Sequence, residues 1–120
     1  MVKIGLTQEI IGEIPEMAAV YSLVLMENDV PSRFVDFTDN LRESIRQHFN
    51  PDESNVDLRY LMASCKTKLL YYELEPDGIT EGTRNKAHEW ATLNNSQKTL
   101  IRDEKSRERI SNLLLHHYQR

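Results

Sequence analysis

Residues 56 to 74, VDLRYLMASCKTKLLYYEL, constrain the fold more than any other stretch of this chain. Wound as a helix at about 100° per residue, they place Leu58, Leu61, Met62, Cys65, Leu69 and Tyr72 on one side. Val56, Ala63, Leu70 and Leu74 then fall nearly opposite, with Tyr60 and Tyr71 at the edge of that second face. A helix apolar on two sides is packed between neighbours, so the pattern predicts the central helix of a bundle. The alternative is that its second face binds a partner. Leu69, on the main stripe, is expected to be core, at a cost of about 2 to 5 kcal/mol on truncation to alanine. Tyr71 and Tyr72 read as core residues with wet hydroxyls rather than as a ligand cluster.

The segments around this one follow the same logic. Val2, Ile4 and Leu6 alternate with Lys3 and Gly5, the period of a short strand or extended arm, and Thr7 offers a helix cap. From Gln8, the apolar positions Ile10, Ile11, Ile14, Met17, Ala18, Tyr21 and Leu25 recur at three- and four-residue steps. Pro15 divides them, predicting a short helix to Gly12 or Glu13 and a second with Pro15 in its first turn. AAVYSLVLM read as a buried strand is the alternative. MENDVPS punctuates, and Ser32 caps a helix whose stripe is Phe34, Phe37, Leu41, Ile45 and Phe49. His48 sits beside that stripe and is read as packed, with no chemistry assigned. Pro51 ends the helix at Asn50. EPDG is a turn, and Thr80 starts a helix running to about Leu93 that docks mainly through Trp90. Ser96 caps a last helical segment, in which Leu100 and Ile101 are followed by the polar run RDEKSRER. Carried back along a straight helix, the face of Ile110, Leu113 and Leu114 meets Asp103, Ser106 and Arg107, so that segment breaks or projects into water or a partner. The fold expectation is a single all-α domain over residues 1–120, with about five helices and an N-terminal extended arm. The alternative is α+β, with residues 2–6 and 18–26 as strands.

At 120 residues, 39% hydrophobic and 28% charged, the chain suits one soluble domain. It shows no apolar run long enough to span a membrane and no signal-peptide pattern, which predicts a cytoplasmic protein without membrane contact. Cys65 is the lone cysteine and, within LMASC, reads as a small hydrophobe. The net charge of −4 is unevenly spread: residues 1–60 hold 5 Lys+Arg against 11 Asp+Glu, and residues 61–120 hold 10 against 8. An acidic first half argues against the whole chain lying on a polyanion, although Lys98, Arg102, Lys105, Arg107 and Arg109 could touch phosphates. Gly-rich phosphate loops, paired cysteines, HExxH and GxSxG are absent from the sequence, so no cofactor and no metal are expected.

The remaining motif lies in RISNLLLHHYQR, residues 109–120. Arg109, six residues, His116, one residue and Tyr118 resemble the arginine–histidine signature of the HEPN ribonucleases, whose toxin members carry a tyrosine two positions after the histidine. The resemblance covers ten residues. It implies a small, usually dimeric all-α bundle in which arginine and histidine from both subunits cleave RNA, with Arg109, His116 and Tyr118 as the catalytic set. Ile110 stands where that family usually has Asn or Asp, and the motif sits at the chain terminus rather than on an internal helix. On a helix Lys105, Arg109, Asn112 and His116 share a stripe, but a helix buried through Ile110, Leu113 and Leu114 must show polar residues opposite. The adopted reading is therefore a solvated interaction surface of Lys105, Arg107, Arg109, Asn112 and His116. The function expected is a non-enzymatic protein-interaction module: a small regulator, inhibitor or assembly subunit of bacterial or viral origin, with a protein partner and a homodimer as the leading association. A HEPN-like ribonuclease is the alternative, and a small nucleoprotein-complex subunit the third reading.

Overall fold

In the computed structural model, the structure describes residues 1–92 and the backbone of residues 99–100. It is an α+β fold, which corrects the all-α bundle and bears out its alternative. The central strand is β2 (Ala19–Glu27), paired antiparallel on one side with β3 (Val30–Thr38) and on the other with β4 (Thr67–Leu74). A four-residue strand β1 (Val2–Gly5) pairs antiparallel with β4 at one edge. A two-residue strand β5 (Thr99–Leu100) pairs parallel with β3 at the other, giving the order β1-β4-β2-β3-β5. At those two residues the expected last helix is replaced by strand.

The helix expected from Pro15 to Leu25 is β2. A strand covered on both faces reads as a continuous apolar run, and its three- and four-residue steps are then accidental. Ala19, Tyr21, Leu23 and Leu25 enter the main core, while Val20 faces the other side with Phe37 and Ala87. The hairpin to β3 turns on Asn28 and Asp29, both at positive φ (51° and 64°), as a two-residue turn matched to strand twist requires.

The helix expected from Ser32 to Phe49 divides at Asp39. Phe34 and Phe37 are three apart, which in a strand sends them to opposite faces: Phe34 to the main core, Phe37 to the second cluster. Asn40, not Ser32, is the cap. Its side chain accepts from the Glu43 amide (3.1 Å) to start α1 (Leu41–His48), which buries Leu41 and Ile45. Two further first-turn amides are met by the loop before β2, Leu41 N–H to Met17 O (2.9 Å) and Arg42 N–H to Pro15 O (3.2 Å). A 3-10 turn, Ile11–Glu13, precedes that loop.

The supposed central helix is a helix followed by a strand. Asn55 caps α2 (Val56–Ser64), accepting from Leu58 N–H (3.0 Å), and the backbone turns extended at Cys65. Leu58, Met62 and Cys65 are buried at helical spacing, then Leu70 and Tyr72 at strand spacing. Two apolar faces result when one period is imposed on both. Leu69, expected in the core, is half-buried, and Leu70 beside it is fully buried. Val56 and Tyr60 remain exposed.

Helix α3 (Glu81–Thr92) lies where the sequence placed it. Thr80 and Thr83 cap reciprocally, Thr83 N–H to Thr80 Oγ1 (3.3 Å) and Thr80 N–H to Thr83 Oγ1 (3.0 Å). It covers the second sheet face through Ala87 and the half-buried Trp90. Arg33, buried in β3, donates to the carbonyls of Trp90 and Ala91 at its C-terminal turn. Helices α1 and α2 share the opposite face with the main core. Among the described residues no helix is long and apolar enough to cross a membrane.

Candidate functional site

The expected interaction surface, Lys105, Arg107, Arg109, Asn112 and His116, lies outside the described residues, as do Tyr118, Lys98 and Arg102. The all-α fold implied by the HEPN resemblance is not the fold of this chain.

What the described residues bring together centres on His48, the last residue of α1. Its Nε2 lies 2.6 Å from the Tyr21 hydroxyl and its Nδ1 2.9 Å from Glu53 Oε1. The Glu53 carboxylate only accepts, so Nδ1 carries the ring proton and, in the neutral imidazole, Nε2 accepts from the Tyr21 O–H. Tyr21 is 1% exposed and His48 9%. Phe34 meets the imidazole edge-on at 5.1 Å between centroids. The chain thereby joins the central strand, the end of α1 and the loop after Pro51 by one buried polar line.

His48 lines two clefts. The smaller, about 210 Å³, is bounded by Tyr21, Asp36, Asp39, Glu43 and Ser44. A Glu–His–Tyr line can relay a proton, and here it would end at Tyr21. Three carboxylates around that end raise a negative potential that repels a phosphate-bearing substrate. Among the described residues no group of three or more His, Cys, Asp and Glu side chains is placed to hold a metal ion. The arrangement fits a structural tie between α1 and the sheet.

The larger cleft, about 570 Å³, runs between the end of α1, helix α2 and the segment after β1. Leu6 and Met62 form a buried floor, joined by Phe49 and Ala63. Arg59, Lys66 and Lys68 line it against a single carboxylate, Glu9. Lys68 donates to Cys65 O (2.6 Å), while Arg59 and Lys66 are exposed and make no ion pair among the described residues.

The sequence reading missed both features. No local signal joins Tyr21 to His48, which are 27 residues apart. The groove did leave a trace: Arg59, Met62 and Ala63 sit at i, i+3 and i+4 on one face of α2, and Lys66 follows just past its end. No family model, curated protein or solved structure matches the chain.

Proposed function

We propose that this chain is a non-enzymatic protein-interaction module whose docking surface is the groove between α1, α2 and the segment after β1. The observation that carries the reading is the groove itself: about 570 Å³ of open space over an apolar floor of Leu6, Phe49 and Met62, rimmed by Arg59 and Lys66, which make no ion pair among the described residues. An apolar floor with a polar rim is the anatomy of a protein interface, where the floor supplies affinity and the rim orientation. The buried Tyr21–His48–Glu53 line and the carboxylates around its open end support a structural rather than catalytic use of those groups. A cytoplasmic location and a small regulator, inhibitor or assembly subunit belong to the same reading.

The test is a photo-cross-linking amino acid placed at Ala63 in the groove and, separately, at Arg84 on α3. The expected result is one protein, identified by mass spectrometry, joined from position 63 and not from 84. Met62→Glu should abolish recovery of that same protein. Equal adducts from both positions, or retention of the adduct in Met62→Glu with unchanged melting, would remove the groove from the reading.

A further inference from the structure

Resting on that reading, we infer that the segment this groove receives is acidic, with an aliphatic side chain among its carboxylates. The chain carries 15 Lys+Arg against 19 Asp+Glu, yet three cations and one carboxylate line this groove. Elsewhere Arg42 pairs with Glu16 (3.1 Å), Arg46 with Glu43 (2.6 Å) and Lys86 with Glu73 and Glu75 (3.4 and 3.0 Å), while Lys3, over the Tyr71 ring, and Arg84, on α3, stand singly without an ion pair among the described residues. Arg59 and Lys66 likewise make no ion pair among the described residues, and these two line the same groove. Unpaired cations gathered on an acidic background complement a negative partner and disfavour a basic one.

The floor selects between two kinds of anion. A nucleic acid needs cations along a track of phosphates and flat rings for its bases. Here the cations line one bounded cleft instead of a track; of its two rings His48 is buried and held by Tyr21 and Glu53 and Phe49 is half-buried, and the rest of the floor, Leu6, Met62 and Ala63, is aliphatic. That combination suits a peptide whose carboxylates meet Arg59 and Lys66 while a leucine-sized side chain fills the floor. Arginine adds a planar fork of N–H donors, which binds a carboxylate at two points.

The experiment is fluorescence anisotropy on the full chain with three labelled probes. They are a dodecapeptide of Asp and Glu with one central Leu, the same peptide with Lys for every acid, and a twelve-nucleotide single-stranded RNA. The acidic peptide should bind, weaken with salt, and weaken further when its Leu is replaced by Ala. Arg59→Glu and Lys66→Glu should each reduce its affinity by about ten-fold or more, while Arg84→Glu, an equal charge change on α3, stays within about two-fold. The peptide arms use the unaltered protein, so they hold even if a variant folds poorly. The inference is overturned by equal loss in Arg84→Glu, by equal binding of the lysine peptide, or by tighter RNA binding that Arg59→Glu abolishes. It is also overturned by no acidic-peptide binding up to about 100 μM. Self-association broken by Arg59→Glu would assign the groove to a second copy and overturn it as well. Cross-linking from Ala63 to a non-acidic partner segment would refute this inference while leaving the interaction-module reading in place.

Discussion

Replacing Tyr21 by phenylalanine removes one oxygen from the centre of the molecule and keeps the ring. That oxygen lies 2.6 Å from His48 Nε2, in a pair where Tyr21 is 1% and His48 9% exposed. The ring packing survives, since Phe34 and His48 still flank the position with centroids at 6.2 and 5.8 Å. What is lost is the partner of a largely buried nitrogen. An orphaned buried polar group costs about 1 to 3 kcal/mol. With about 4 °C of Tm per kcal/mol for a domain of this size, Tyr21→Phe should lower Tm by about 4 to 12 °C. Thermal and urea unfolding of the parent, Tyr21→Phe, His48→Leu and the double variant separate the bond from the packing. In the His48→Leu background the bond to Nε2 is already gone, so Tyr21→Phe should cost less than in the parent, giving a coupling of about 0.5 to 3 kcal/mol. An equal cost in both backgrounds would refute the buried line as the tie between the central strand and α1.

Three further outcomes follow from the packing and charge pairs. Leu70→Ala should destabilise by about 2 to 5 kcal/mol and Leu69→Ala by clearly less, because Leu70 is fully buried and Leu69 half-buried; chemical denaturation that reverses the order would contradict the register of β4. Arg33→Met, which keeps the aliphatic stem but leaves the Trp90 and Ala91 carbonyls unmet, should cost about 1 to 3 kcal/mol and speed hydrogen exchange in the last turn of α3 ahead of the sheet. The hydrogen bond to Glu75, with Glu73 beside it, holds the Lys86 ammonium above its ordinary value. A raised folded-state value means the contribution is complete below about pH 10 and fades as pH rises through the raised value. Lys86→Met should therefore flatten the alkaline limb of a stability–pH curve, and an unchanged limb would show the pair to be idle.

Local chemistry in the chain was sufficient for the pieces that depend on neighbours in sequence. The alternation of Val2 and Ile4 marked β1, EPDG and Thr80 marked the turn and start of α3, and the docking role of Trp90 followed from the lack of other large apolar residues there. The stop at Asn50–Pro51 was equally local. Period failed where a strand is buried on both faces, as in AVYSLVLME, and where a helix passes into a strand without a break signal, as at Ser64 to Thr67. In each case the apolar residues are right and their geometry is not, because burial selects residue type whichever backbone delivers it.

The buried line could not be read at all. His48 is an unremarkable residue beside an apolar stripe until β2 sets Tyr21 against its Nε2 and the turn after Pro51 returns Glu53 to its Nδ1. Likewise Arg59 on α2 and Lys66 just past its end are two isolated charges until Leu6 and Phe49, from elements distant in the chain, complete a floor between them. Hydrophobicity and turn chemistry act over a few residues and are written in sequence order. Hydrogen-bond partners and groove walls are set by which strands pair and which face each helix covers, and those are properties of the assembled sheet.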